Sequence, residues 1–190
     1  MRKQLLALAA MTLIYQCCFS QTIITRDPEI EQMVKEVSAD SLQSYIQQMV
    51  NFGTRNTLTI QTNPTRGIGA ARDWVLGKFN QFARQSNGRL SAFIDTTTYK
   101  ADGRRVSRDI ILGNVVATLK GTDPNDKRIF LISGHLDNMR SSPTDSTGDA
   151  PGANDDGSGS AAVLECARIM SKHAFPATII FVTVSGEEQG

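Results

Sequence analysis

The sequence has little cysteine, few aromatic residues and no excess of charge of either sign: three Cys, 6% aromatics and a formal net charge of +1 in 190 residues. Because basic and acidic residues nearly cancel, and no Lys/Arg cluster is interleaved with aromatics, a nucleic-acid partner is not expected. No apolar run reaches the roughly 20 residues that a membrane span needs. Internal repeats and low-complexity linkers are also missing. What remains, 40% apolar and 21% charged, is the composition of an ordinary soluble globular protein with one main domain.

The first twenty residues read differently from the rest. Arg2 and Lys3 precede an apolar stretch from Leu5 to Tyr15, and Cys18, Phe19 and Ser20 precede Gln21. This is the layout of a secretory signal peptide over residues 1–20, which predicts a secreted or periplasmic protein with no stable membrane association after cleavage. Lipidation at Cys17 or Cys18 is the weaker alternative, because Ile14, Tyr15 and Gln16 are not the small residues that lipoprotein processing favours. After a cut at Ser20, Cys166 is the sole cysteine, so no intramolecular disulfide can form. Any metal is then expected on His and carboxylates rather than on oxidisable thiolates.

Helical periodicity covers residues 28–37 and 39–50, the second after a Ser38 N-cap, with Leu42, Tyr45, Ile46, Met49 and Val50 on one face. Residues 52–57 form a turn-rich break. A longer helix from Gly67 carries Ile68, Ala71, Val75, Phe79 and Phe82 along one stripe and stops near Asn87-Gly88. Residues 90–99 and 108–120 are extended runs separated by a turn at 101–103, the second run apolar enough to be central. Beyond them comes a βαβ unit: a buried strand over 128–133, a polar loop over 138–151, a helix over 158–171 and a strand over 177–184. In such units sites form beyond the carboxyl ends of the strands.

Polar clusters stand at both ends. His135 and Asp137, two apart after an apolar strand, project to one side, so one can ligate a metal while the other orients it by taking the second ring N–H. A His beside an Asp is by itself more often a surface pair. In the stretch from Pro151 to Ser160, Asp155 and Asp156 sit among glycines just ahead of a helix. Asp156 reads as a helix N-terminal acid with Ser158 as N-cap. Asp155 reads as a metal ligand, since a carboxylate bridging two metals about 3.5–4 Å apart needs close backbone approach. Glu187 and Glu188 follow a β-favouring run, where adjacent acids repel unless a cation neutralises them. In extended chain the two point apart, which offers one metal ligand and one general base.

The three segments Ser133-Gly134-His135-Leu136-Asp137, Gly152-Ala153-Asn154-Asp155-Asp156-Gly157-Ser158-Gly159 and Ser185-Gly186-Glu187-Glu188-Gln189-Gly190 closely resemble, in order, the motifs of the secreted di-zinc aminopeptidase family, which includes bacterial leucyl aminopeptidases. Residues 52–57 and the helix from Gly67 to Phe82 resemble the family's amino-terminal region. The resemblance implies an α/β fold, a three-layer αβα sandwich with a mixed, mostly parallel central sheet. It implies that His135 binds one zinc, Asp155 bridges two, Glu188 binds the other, Glu187 is the general base and Asp137 supports His135. The implied reaction is zinc-dependent hydrolysis of amino-terminal peptide bonds by a metal-bound water.

The family also uses an Asp and a His after its Glu-Glu motif, so residues 21–190 are expected to form the amino-terminal part of a zinc exopeptidase domain, truncated at the carboxyl end and inactive or nearly so alone. His173, the only other histidine, reads as a helix C-terminal residue rather than a ligand. A zinc glutaminyl cyclase-like enzyme and a non-catalytic secreted binding domain are the alternatives.

Overall fold

The structure, a computed structural model, describes residues 26–190. The expected signal segment lies outside the described residues. The chain divides into two compact units, one ending at Lys35 and one beginning at Glu36. In the first, helix α1 (Pro28–Lys35) starts on Asp27, whose side chain accepts the Glu29 N–H at 2.9 Å, and carries Glu29 and Glu31 in its first turn. Pro28 suits the first helical position because the missing N–H has no intrahelical partner there. The helix buries no residue.

The second unit opens with α2 (Ala39–Asn51), capped as expected by Ser38, whose side chain accepts the Ser41 N–H at 3.1 Å. It buries Tyr45 and Met49. Helix α3 (Gly67–Ala83) buries the predicted stripe of Ile68, Ala71, Val75, Phe79 and Phe82. Four strands follow, β1 (Leu90–Tyr99), β2 (Ile110–Leu119), β3 (Ile129–His135) and β4 (Thr178–Val184), with α4 (Gly159–Met170) crossing from β3 to β4.

The sheet order is β1-β2-β4-β3. β1 and β2 pair antiparallel as a hairpin, β2 and β4 also pair antiparallel, and β3 and β4 are parallel. The sheet is therefore mixed, and within these residues its parallel character is confined to the βαβ unit, because the hairpin donates its second strand to the centre. One face packs Val115, Ala117, Leu119, Ile179 and Phe181 into a single core with α2, α3 and α4. On the other face, by the alternation of side chains along each strand, Phe93, Ile129 and Leu131 stand exposed. The described residues thus supply two of the three layers expected. The apolar run over 128–133 forms β3, which among the described residues has β4 as its single neighbour and leaves Ile129, Phe130 and Leu131 exposed, not buried as read from the sequence. Among the described residues no helix is long and apolar enough to cross a membrane.

Strand β3 ends against the first turn of α4 at unusually short range. A Cβ added to Gly134 would lie 2.7 Å from the carbonyl carbon of Gly159 and 2.9 Å from the nitrogen of Ser160. Main chain meets main chain here, and glycine is the residue that lets it.

Candidate metal centre

Parallel pairing brings the carboxyl ends of β3 and β4 to the same edge, with His135 opposite Val184. From β3 the chain passes through buried Leu136 to Asp137, and from β4 through Ser185 to Gly186. Gly186 has φ +94, a left-handed conformation that glycine adopts without penalty, and turns the chain into a short 3₁₀ turn over Glu187–Gln189. The two glutamates therefore sit in a turn, not in the extended chain expected from sequence.

The third contributor is the irregular turn Ala153–Ser158 ahead of α4. Asp155 breaks its helical path with φ −106 and ψ 105, and the Asp155–Asp156 peptide bond is cis. Ser158, expected as the N-cap, is already helical at φ −70 and ψ −43, and its hydroxyl donates to Asn154 O at 2.8 Å. Asp156 is the capping residue instead. Its Oδ1 accepts the Gly159 N–H at 2.8 Å and its Oδ2 the His135 N–H at 2.9 Å, so one carboxylate joins the helix start to the strand end. Ser160 Oγ donates to His135 O at 2.9 Å, which leaves the His135 backbone held on both sides.

These contacts place His135 Nε2 3.0 Å from Asp155 Oδ1 and 3.9 Å from Glu187 Oε2. One ligand atom each from His135, Asp155 and Glu188 lie within 4.8 Å of one another, the spacing of groups that can share a cation. An imidazole with carboxylates is a nitrogen and oxygen donor set that suits zinc. Asp155 is 77% exposed and Glu187 59%, whereas the His135 side chain is 15% exposed. The centre therefore opens to solvent on its acid side.

Asp137 is fully buried and works differently from the expectation that its carboxylate orients the ring. His135 Nδ1 lies 3.1 Å from the main-chain oxygen of Asp137 and 3.7 Å from its Oδ1. The carboxylate is committed elsewhere: it accepts the Thr57 hydroxyl at 3.0 Å and the N–H groups of Glu187 and Glu188 at 3.3 and 3.1 Å. Thus Asp137 offers the ring a carbonyl and holds the glutamate turn with its side chain.

The electrostatics follow from crowding. Burial raises the Glu188 carboxyl pKa, and the neighbouring Asp155 and Asp137 charges raise it further. For His135 burial acts against protonation, but the charges of Asp137, Asp156 and Glu187 prevail, so its pKa is raised. A cation among these acids would remove the repulsion that keeps them costly.

Sequence reasoning missed the residues that brace this arrangement, Arg55, Thr57 and Asn138. They belong to segments read as a turn and a loop, and no spacing rule links them to positions 80 or more residues away. The one available signal was Arg55 lying in a segment similar to a family's amino-terminal region. His173, the other predicted non-ligand, lies past the far end of α4, with its Nε2 3.7 Å from Glu36 Oε1.

Residues 114–190 match the profile of peptidase family M28. A probable zinc metalloprotease of Pyrenophora teres f. teres is 44% identical over 165 residues, covering 86% of this chain and 35% of the relative. One from Pyrenophora tritici-repentis is 42% identical over 165 residues, covering 86% and 38%. The chain thus spans little more than a third of the length of these curated relatives. Among solved structures, the Legionella pneumophila LapA aminopeptidase shares the fold with a TM-score of 0.62 at 22% identity, covering 90% of this chain and 43% of that one. Tannerella forsythia glutaminyl cyclase does so with a TM-score of 0.60 at 21% identity, covering 80% and 48%. Three motifs in order, the donor atoms they bring together and these likenesses point one way, toward the zinc metalloproteases and peptidase family M28, whose profile residues 114–190 match.

Proposed function

We propose that the protein is a zinc-dependent exopeptidase, an aminopeptidase that hydrolyses amino-terminal peptide bonds, and that its complete site holds two zinc ions. The observation that carries this reading is the convergence of His135, Asp155 and Glu188 donor atoms within 4.8 Å, with Glu187 beside them. Because the chain covers about a third of its curated relatives, the activity is assigned to the whole protein. Localisation outside the cytoplasm, secreted or periplasmic, is part of the proposal and rests on the basic start and apolar run of residues 2–15.

His135, Asp155 and Glu188 are the residues that would hold metal, and Asp155 would be the carboxylate they share. Bound zinc would supply a polarised substrate carbonyl and an acidified water. Glu187 is exposed at the mouth of the centre, where it takes the proton of the attacking water and returns it to the leaving amine. Asp137 is a positioning residue: it fixes the main chain of Glu187 and Glu188 and accepts the second ring N–H of His135 through its carbonyl. The substrate is a peptide or protein with a free amino terminus.

The test is zinc content and hydrolysis of leucine p-nitroanilide by the protein made from its whole reading frame. Glu187→Gln should keep its zinc and lose turnover by on the order of 10²–10⁴-fold, whereas Glu188→Gln should lose zinc as well. A metal-free, inert protein sinks the reading. Cyclisation of an amino-terminal glutaminyl peptide without hydrolysis would replace it with a cyclase.

A further inference from the structure

Arg55 is the largest fully buried side chain of the described residues, with 0% exposure. Four of its N–H groups go to main-chain carbonyls: Nε donates to Leu136 O at 2.7 Å, Nη1 to Met49 O and Pro151 O at 3.0 Å each, and Nη2 to Gly152 O at 2.9 Å. Its own main-chain N–H donates to Asn138 Oδ1 at 2.8 Å, and Asn138 Nδ2 donates to Ala150 O at 2.6 Å. Burial brings the guanidinium pKa down to about 10, against the opposing pull of Asp137 and Asp156.

Those four carbonyls are not a random sample of the core. Leu136 lies between His135 and Asp137, and Pro151 and Gly152 lead directly into the turn that presents Asp155. Met49 belongs to α2, which serves as the fixed abutment. A planar fork with fixed donor angles can hold three segments at one geometry, which a flexible ammonium cannot do. A lysine at this position would keep the charge and lose the fork.

We propose that Arg55 is a positioning residue for the metal centre, setting the separation of His135 from Asp155 by clamping the chain beside each. The inference rests on the zinc reading above. Arg55 touches no reacting atom; it acts through the carbonyls of Leu136, Pro151 and Gly152.

The experiment measures zinc affinity by competition with a chromogenic chelator, and the visible spectrum of the cobalt-substituted protein, for the whole protein and for Arg55→Lys, Arg55→Met and Arg72→Met. Arg72 is a second buried arginine, on α3 against Gly113 and outside the centre, so it controls for removal of a buried guanidinium as such. Both Arg55 variants should fold in the metal-free state, with zinc dissociation constants raised by about 10–100-fold and shifted cobalt bands. Arg72→Met should fold and leave affinity and bands unchanged. Folded Arg55 variants with unaltered affinity and spectrum overturn the proposal. So does failure of both to fold while Arg72→Met folds, because Arg55 would then serve the fold alone. If the unaltered protein takes no zinc, the zinc reading itself fails, an outcome distinct from both.

Discussion

The carboxylate of Asp137 accepts the main-chain N–H groups of Glu187 and Glu188 at 3.3 and 3.1 Å, and the Thr57 hydroxyl at 3.0 Å. Three donors converge on one buried acceptor, so Asp137→Asn must turn an amide NH₂ toward at least one of them. The Glu187–Glu188 turn should shift, and zinc affinity should fall by about 10–100-fold, read by chelator competition. Thr57→Val removes one donor only and should cost about 1 kcal/mol of stability with little change in affinity.

Gly134→Ala is expected to be costly. Its Cβ would press on the main chain of Gly159 and Ser160, which cannot swing aside as a side chain would. A loss of about 1–3 kcal/mol is expected in urea denaturation, together with weaker zinc binding because His135 is the next residue. Unchanged stability would mean that α4 can retreat from β3.

Zinc bound by His135, Asp155 and Glu188 links metal to stability, since these ligands come together only in the folded chain. At a free zinc concentration about 100 times the dissociation constant, the folded state should gain about 2.7 kcal/mol. Chelation should therefore lower the melting temperature of the whole protein, and added zinc should restore it. Glu188→Gln, which loses a ligand, should show a smaller difference in melting temperature with and without chelator.

Glu165 gives a pH-dependent contribution away from the centre. Its buried carboxylate accepts the Ser38 N–H at 2.8 Å and both Arg168 Nη2 and Nε, at 2.6 and 2.8 Å, tying α4 to the start of α2. Burial alone would raise its pKa, but the bonds from Arg168 and Ser38, with the charges of Arg168 and Lys172, bring it below the ordinary value. A depressed carboxyl pKa stabilises the fold fully above the unfolded value of about 4.3, and the contribution is lost as pH falls through the folded pKa. Glu165→Gln should cost about 2 kcal/mol at about pH 7, and much less at about pH 3. Urea melts of both proteins at the two pH values check this.

How much of this was legible in the sequence depended on whether a contact is local. The Ser38 cap, the α3 stripe and the β1–β2 hairpin follow from periodicity and turn chemistry within a few residues, and the structure has them. The gathering of His135, Asp155 and Glu188 was accessible because a βαβ unit dictates where strand ends lie. Strand order was not, because it is set by long-range pairing: nothing local announces that β2 lies between β1 and β4 while β3 lies on the far side of β4. The Ser158 cap failed because Asp156, two residues earlier, reaches both Gly159 and His135 and so competes better for the free N–H. Arg55 was invisible for a related reason. Its partners are carbonyls, which every residue carries, so nothing in the residue types at 49, 136, 151 and 152 announces a shared guanidinium.

The contact of Gly134 with Gly159 has one more consequence. Side-chain packing behaves as a cushion that loosens by degrees on warming, but two backbones in contact have no cushion between them. The spacing between the strand that carries His135 and the helix behind Asp155 is thus gauged by covalent frame rather than by compressible filling. Heat should leave that gauge nearly constant until α4 parts from the sheet, and the centre should then be lost in a single step, with no range of temperature over which it is merely slack.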